Sequence, residues 1–158
     1  MRTSCHSGER TNDKLFNIIS ILTNMENCIF CKIIRGEIPC EKVYENNKVL
    51  AFLDISPVNK GHTIVIPKKH SENLLDADEQ TLCELIKAVK KLSIAIKKAV
   101  KADGINIGIN NFKAAGQLVP HFHIHIMPRF ENDGLKIDWP TKKLDNMEKI
   151  AESIKKLI

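Results

Sequence analysis

Apolar residues recur at three- and four-residue spacing from Leu82 through Leu85, Ile86, Val89 and Ile96 to Val100, which predicts one long amphipathic helix. Asp76 with Glu79 offers a capping-box-like start, and Asp103-Gly104 supplies a stop. Lys87, Lys90, Lys91, Lys97, Lys98 and Lys101 give that helix a charged face, most simply a solvated one. A second amphipathic pattern over about 144–158 predicts a C-terminal helix. Short apolar runs predict strands near 43–45, 49–54, 62–67, 105–110 and 121–127, so the order of elements is α+β. Residues 1–12 are polar and aperiodic, and 16–22 is a short mixed apolar run too poorly flanked for a secretory signal. The expected organisation is a disordered N-terminal extension over 1–24, with Met25 as a natural start, followed by one folded domain over 25–158.

The strand pattern at 121–127 is also the most chemically loaded part of the chain. In His121-Phe122-His123-Ile124-His125-Ile126, three imidazoles alternate with apolar residues, which reads as one strand with every histidine on one face. At about 3.3 to 3.4 Å per residue, neighbouring histidines stand roughly 7 Å apart and the outer two roughly 13 to 14 Å, so one metal ion cannot easily take all three. The row therefore divides among different jobs: metal ligand, nucleophile, and proton donor or acceptor. A metal-chelating His-x-His pair with a bystander is the plainer alternative. Gly116-Gln117-Leu118-Val119-Pro120 precedes the row, and a glycine-bearing loop that delivers backbone N–H groups there can hold an anion.

The chain's 158 residues, 43% of them hydrophobic, are enough for a single domain with one sizeable core. No apolar run approaches the ~20 residues of a membrane span. A net charge of +5 suits a phosphate-bearing substrate, yet the lysines are scattered over helical faces, which argues against nucleic acid as a partner. Five cysteines without a secretory signal point to a reducing, cytoplasmic compartment, where Cys28-Ile29-Phe30-Cys31 reads as a metal or redox pair. Two buried thiols without a metal are the alternative. Cys5, Cys40 and Cys83 have no partner pattern.

At these residues the chain resembles the histidine triad (HIT) family of nucleotide hydrolases and transferases, most of all the histidine triad nucleotide-binding proteins. The likeness extends upstream through Ile29 to Pro39, Ala51 to Pro57 and Gly61 to His70, in family order. It implies a five-stranded antiparallel sheet with the long and C-terminal helices, paired as a homodimer through the long helix and an edge strand. It further implies a structural zinc held by Cys28, Cys31, His70 and His121, a closed tetrahedral set with no open position. His123 matches the family's nucleophile and His125 the group that assists the leaving group or the phosphate. Ile29, Phe30, Ile33 and Phe52 match positions that sandwich a purine, with core packing as their alternative role. Asp54 matches the carboxylate that takes the ribose hydroxyls, Asn110 the phosphate-side asparagine, and Gln117, between Gly116 and Leu118, the loop glutamine. His62 matches a histidine that supports the triad. Many members carry Ser or Thr where this chain has Leu118, so hydroxyl-assisted cleavage is unavailable and backbone N–H donors must do more.

The activity implied is a nucleoside phosphoramidase-like hydrolase or transferase that cleaves at the α-phosphate of a purine nucleotide such as AMP or an AMP conjugate, through a nucleotidyl-histidine. Three alternatives stay open. Gln117-x-Val119-Pro120-His121 is shared with dinucleoside polyphosphate hydrolases. A nucleotide-binding sensor would use the same pocket, though mere binding does not require a free imidazole. A catalytic metalloenzyme would use His121 and His123 to hold a water-activating zinc.

Overall fold

A computed structural model of the protein describes residues 25–136 and 141–158. The expected N-terminal extension over 1–24 lies outside the described residues. The sheet is five-stranded and antiparallel throughout, built from β1 (Lys42–Glu45), β2 (Val49–Leu53), β3 (Thr63–Pro67), β4 (Gly104–Gly108) and β5 (Ile124–Arg129), in the order β1-β2-β3-β5-β4. The helices α1 (Ile29–Ile34), α2 (Glu79–Val100) and α3 (Met147–Lys155) accompany it among the described residues.

Side-chain alternation along β2 divides the core in two. Val49 and Ala51 pack with Val65, Ile124 and Ile126 against Leu85, Ala88, Val89 and Leu92 of α2, burying the stripe that the helical periodicity predicts. Leu50 and Phe52 face the other way, with Ile64 and Ile66, against Cys28, Phe30 and Cys31 of the α1 region. Both faces being covered explains why β2 and β3 read as continuous apolar runs. Because Ile64 is paired with His125, and opposed residues share a face, the triad lies on the α1 side of the sheet.

Several boundaries differ from the expected ones. The cap of α2 is Asp78, whose side chain accepts from the Thr81 N–H, whereas Asp76 is taken by the Glu72 N–H at 2.9 Å. The helix ends at Lys101, in the left-handed conformation, two residues before the expected Asp103-Gly104 stop. Strand β5 begins at Ile124, so His121 and His123 precede it. The Phe122 N–H donates to Ser71 O at 2.7 Å and the His121 N–H to Val119 O at 2.8 Å, which takes this stretch off the ladder. The C-terminal helix is shorter than expected, and all its residues are exposed. Among the described residues no helix is long and apolar enough to cross a membrane.

Candidate functional site

The end of the β2–β3 hairpin places the first two polar groups. Asp54 N–H donates to His62 O at 2.9 Å, which sets the two residues side by side just beyond the strands. Gly61 makes the turn possible with φ +84°, and a Cβ there would come within 2.9 Å of Val100 Cγ1. The Ser56 N–H holds Asp54 Oδ1 at 2.8 Å, so Oδ2 is left to face His62 Nδ1 at 3.5 Å and His125 Nδ1 at 3.9 Å.

The histidines then sort by their hydrogen bonds, which fix the tautomers. The Val58 N–H donates to His62 Nδ1 at 3.2 Å, so that nitrogen is an acceptor and the proton sits on Nε2. His62 Nε2–H donates to His125 Nδ1 at 2.9 Å, which leaves His125 with its proton on Nε2. His123 Nδ1–H donates to His121 O at 2.6 Å, so the lone pair of His123 is on Nε2. The His123 and His125 rings stand 5.0 Å apart. Burial pushes the pKa of His62 and His123 down, and that of His125 down to about 4 with help from His123 and His62. A lone pair and an N–H donor thus lie on adjacent neutral imidazoles.

The loop that precedes the triad is held by one side chain. Gln117 Oε1 accepts from the Phe112 N–H at 2.7 Å, and its Nε2 donates to Glu72 O and to Val119 O at 3.0 Å. Gly116, at φ +84°, has Asn110 Nδ2 only 3.7 Å from the position of an added Cβ, so Asn110 lies against the expected anion-holding turn. Leu118 is 93% exposed. Phe112 was missed by the sequence reading. It adopts φ 68°, ψ 161°, a region nearly confined to glycine, and the residue is 54% exposed. Holding a non-glycine residue there costs about 1–3 kcal/mol. Phe112→Gly is therefore expected to stabilise the protein by about 1 kcal/mol, read as a Tm increase of roughly 2–4 °C. A lower Tm would show that the ring's packing outweighs the backbone strain.

The expected purine positions divide. Phe30 and Phe52 are buried, with ring centroids 5.6 Å apart, and Ile33 is packed beside them. Ile29 is exposed on α1. Phe30 also meets the rings of His121 and His123 edge-on, at 5.8 and 5.4 Å, so the short helix carries both the apolar wall and a support for the triad.

Behind the triad, Cys28, Cys31, His70 and His121 converge. His70 Nδ1 and His121 Nδ1 are 3.2 Å apart; Cys31 Sγ lies 3.3 and 3.6 Å from them, and Cys28 Sγ lies 3.4 Å from His121 Nδ1. A tetrahedral ion with metal–sulfur bonds of about 2.3 Å and metal–nitrogen bonds of about 2.0–2.1 Å spaces its ligand atoms by about 3.3–3.8 Å, which fits this set. His121 Nε2–H donates to Pro67 O at 3.0 Å and so turns the Nδ1 lone pair inward. Burial, with Cys28 beside it, pushes the Cys31 thiol up to about 12. The His121 Nδ1 lone pair thus faces His70 Nδ1 and two buried sulfurs, a donor set that suits a cation. The triad is split, with His121 turned to this cluster and His123 and His125 turned away.

Comparison with known proteins identifies the family. The family model of the HIT domain matches residues 35–132. Adenosine 5'-monophosphoramidase hnt1 of Schizosaccharomyces pombe is 41% identical over 116 residues, 73% of this chain and 84% of that protein. A HIT family protein from Bacillus subtilis superposes with a TM-score of 0.77 at 46% identity, over 84% of this chain and 97% of that one. A zinc-bound histidine triad family protein from Mycobacterium smegmatis superposes at 0.68 with 34% identity, over 84% and 96%. With the HIT-domain match over residues 35–132, a shared fold and relatives matched along most of its length, the chain belongs to the histidine triad family.

Proposed function

We propose that the protein is a purine nucleotide hydrolase or transferase that cleaves at the α-phosphate through a nucleotidyl-His123 intermediate. The observation that carries this reading is the 2.6 Å bond from His123 Nδ1–H to His121 O, which leaves the Nε2 lone pair free. A neutral imidazole so held attacks phosphorus without first losing a proton. His123 Nε2 forms the bond to the α-phosphorus as the bond from phosphorus to the leaving nitrogen or oxygen breaks, and the leaving atom takes the His125 Nε2 proton, which the attacking water later restores. His125 Nε2–H, the Asn110 side chain and the backbone N–H groups of Gly116, Gln117 and Leu118 stabilise the charge that builds on the phosphoryl oxygens. Water then cleaves the phosphorus–nitrogen bond, releasing the nucleotide and restoring His123. Asp54 accepts the ribose hydroxyls, with Ile29, Phe30, Ile33 and Phe52 as the apolar wall for the base.

The likeness to an adenosine 5'-monophosphoramidase supports an AMP conjugate as the substrate. Zinc is the ion that suits the two thiolates and two imidazoles of the second cluster, and there it would fix α1 against β5 without an open position. Exposed Ile86 and Ile94 on α2 and Ile107 on the edge strand β4 support a homodimer through helix and edge strand. We place the protein in the cytoplasm.

Dinucleoside polyphosphate hydrolysis is the second reading, favoured by Gln117-Leu118-Val119-Pro120-His121. The deciding measurement compares kcat/KM for adenosine phosphoramidate and for diadenosine polyphosphates. The phosphoramidate is expected to be at least as good a substrate. A tenfold preference for the dinucleotide, about 1.4 kcal/mol of discrimination, would reverse the order.

A further inference from the structure

The loop that joins β2 to β3 has little packing of its own, since Ile55, Ser56, Pro57, Val58 and Lys60 are all exposed. Asn59 is the half-buried exception. Its Nδ2 donates to Pro128 O at 3.0 Å and to Asp133 Oδ2 at 2.9 Å, which ties the loop to β5, the strand that carries His125. Asp133 is itself immobilised. Its side chain is only 6% exposed, and it also accepts from Arg129 Nε and Nη2 and from the Phe130 and Leu135 N–H groups at 2.7–3.2 Å.

The anchored backbone includes the donor that decides a tautomer. His62 Nδ1 has two neighbours with opposite demands: the Val58 N–H at 3.2 Å needs a lone pair there, whereas Asp54 Oδ2 at 3.5 Å would accept a proton from it. Charge-assisted hydrogen bonds are roughly twice as strong as neutral ones, so the amide prevails over the carboxylate only while the backbone at 58–59 is held in place. The choice then passes along the pair. His62 Nε2 meets His125 Nδ1 at 2.9 Å and burial keeps both rings neutral, so with the amide in place both carry the proton on Nε2, and with the carboxylate in its stead both would carry it on Nδ1.

We propose that Asn59 and Asp133 are positioning residues that, by fixing the Val58 N–H on His62, keep the proton of His125 on Nε2. The consequence for turnover rests on the function proposed above; the consequence for the tautomer does not. In the exchanged pair His125 Nε2 is a lone pair, which has no proton for the leaving atom and repels the phosphoryl oxygens.

The test is long-range proton–nitrogen NMR of the imidazoles in the full-length protein, which separates a protonated ring nitrogen from one with a lone pair, applied to the wild type, Asn59→Ala and Asp133→Asn. We expect the wild type to show the lone pairs of His62 and His125 on Nδ1. Both variants should move them to Nε2, while His123, held by His121 O at 2.6 Å, keeps its wild-type pattern throughout. With adenosine phosphoramidate, kcat should fall by about tenfold or more in both variants, because the general acid is lost. Wild-type patterns at His62 and His125 in both variants overturn the proposal. If one variant loses the His123 pattern as well, its fold is damaged and the other decides; loss in both shows that the anchor holds the whole site and not one tautomer, which also overturns it. An exchange of tautomers that leaves kcat of an active protein unchanged overturns the consequence for turnover alone. A wild-type protein with no turnover on any AMP conjugate refutes the proposed function, and the nitrogen signals still decide the role of the anchor.

Discussion

His123→Ala is expected to lower turnover by about 10³-fold or more, equivalent to about 4 kcal/mol of lost transition-state stabilisation, while the protein stays folded and still binds AMP. No other imidazole near the triad is set up to replace it. His125 and His62 share a proton at 2.9 Å, and His121 turns its free nitrogen toward the cysteines. His123 alone combines a fixed donor, an uncommitted nitrogen and near-complete burial. The measurement pairs steady-state kinetics with rapid-quench intact-mass analysis. Wild-type protein should gain the mass of one nucleotidyl group mapped to His123, and the variant should gain none. Near-normal turnover in the variant would eliminate covalent catalysis by this residue, and an adduct on His125 or His62 would transfer the role.

The second large effect concerns stability. Cys31→Ser should release the metal and destabilise the fold by about 3 kcal/mol or more, because metal binding that occurs only in the folded chain is folding free energy. In a domain of this size that is a Tm loss of roughly 6–12 °C. The variant's residual activity should track its folded fraction, since four protein ligands would close the coordination sphere and would reach the chemistry only by holding α1 and His121 in place. Elemental analysis of untagged protein should give one zinc per chain in the wild type and none in the variant. If the wild type is fully folded and active without metal, the cluster is a pair of buried thiols. Immediate loss of activity on chelation, with the fold intact, would instead revive a catalytic metal.

Local pattern alone carried much of this architecture. The stripe from Leu82 to Val100 and the apolar runs of β2 and β3 dictated a helix and strands, because burial on one or two faces leaves its period in the sequence. The alternation in His121 to Ile126 marks the three histidines as candidates for different posts, although His121 and His123 precede β5 and their hydrogen bonds, not a strand rise, set their directions. Other features were decided only by tertiary contacts. Helix α1 escaped notice because its Ile-Phe-Cys-Lys-Ile-Ile run is rich in strand-favouring residues, and what draws it into a helix is the packing of Phe30 and Cys31 against the sheet. The late start of β5 depends on Ser71 O accepting the Phe122 N–H, a partner far away along the chain that no local propensity reveals. The strained Phe112 is stable through Gln117 Oε1, again a contact and not a preference. Above all, which nitrogen of each imidazole holds the proton follows from Val58 N–H, His121 O and Pro67 O. Sequence supplies the histidines, but the backbone groups that fix their tautomers assemble only when the chain folds.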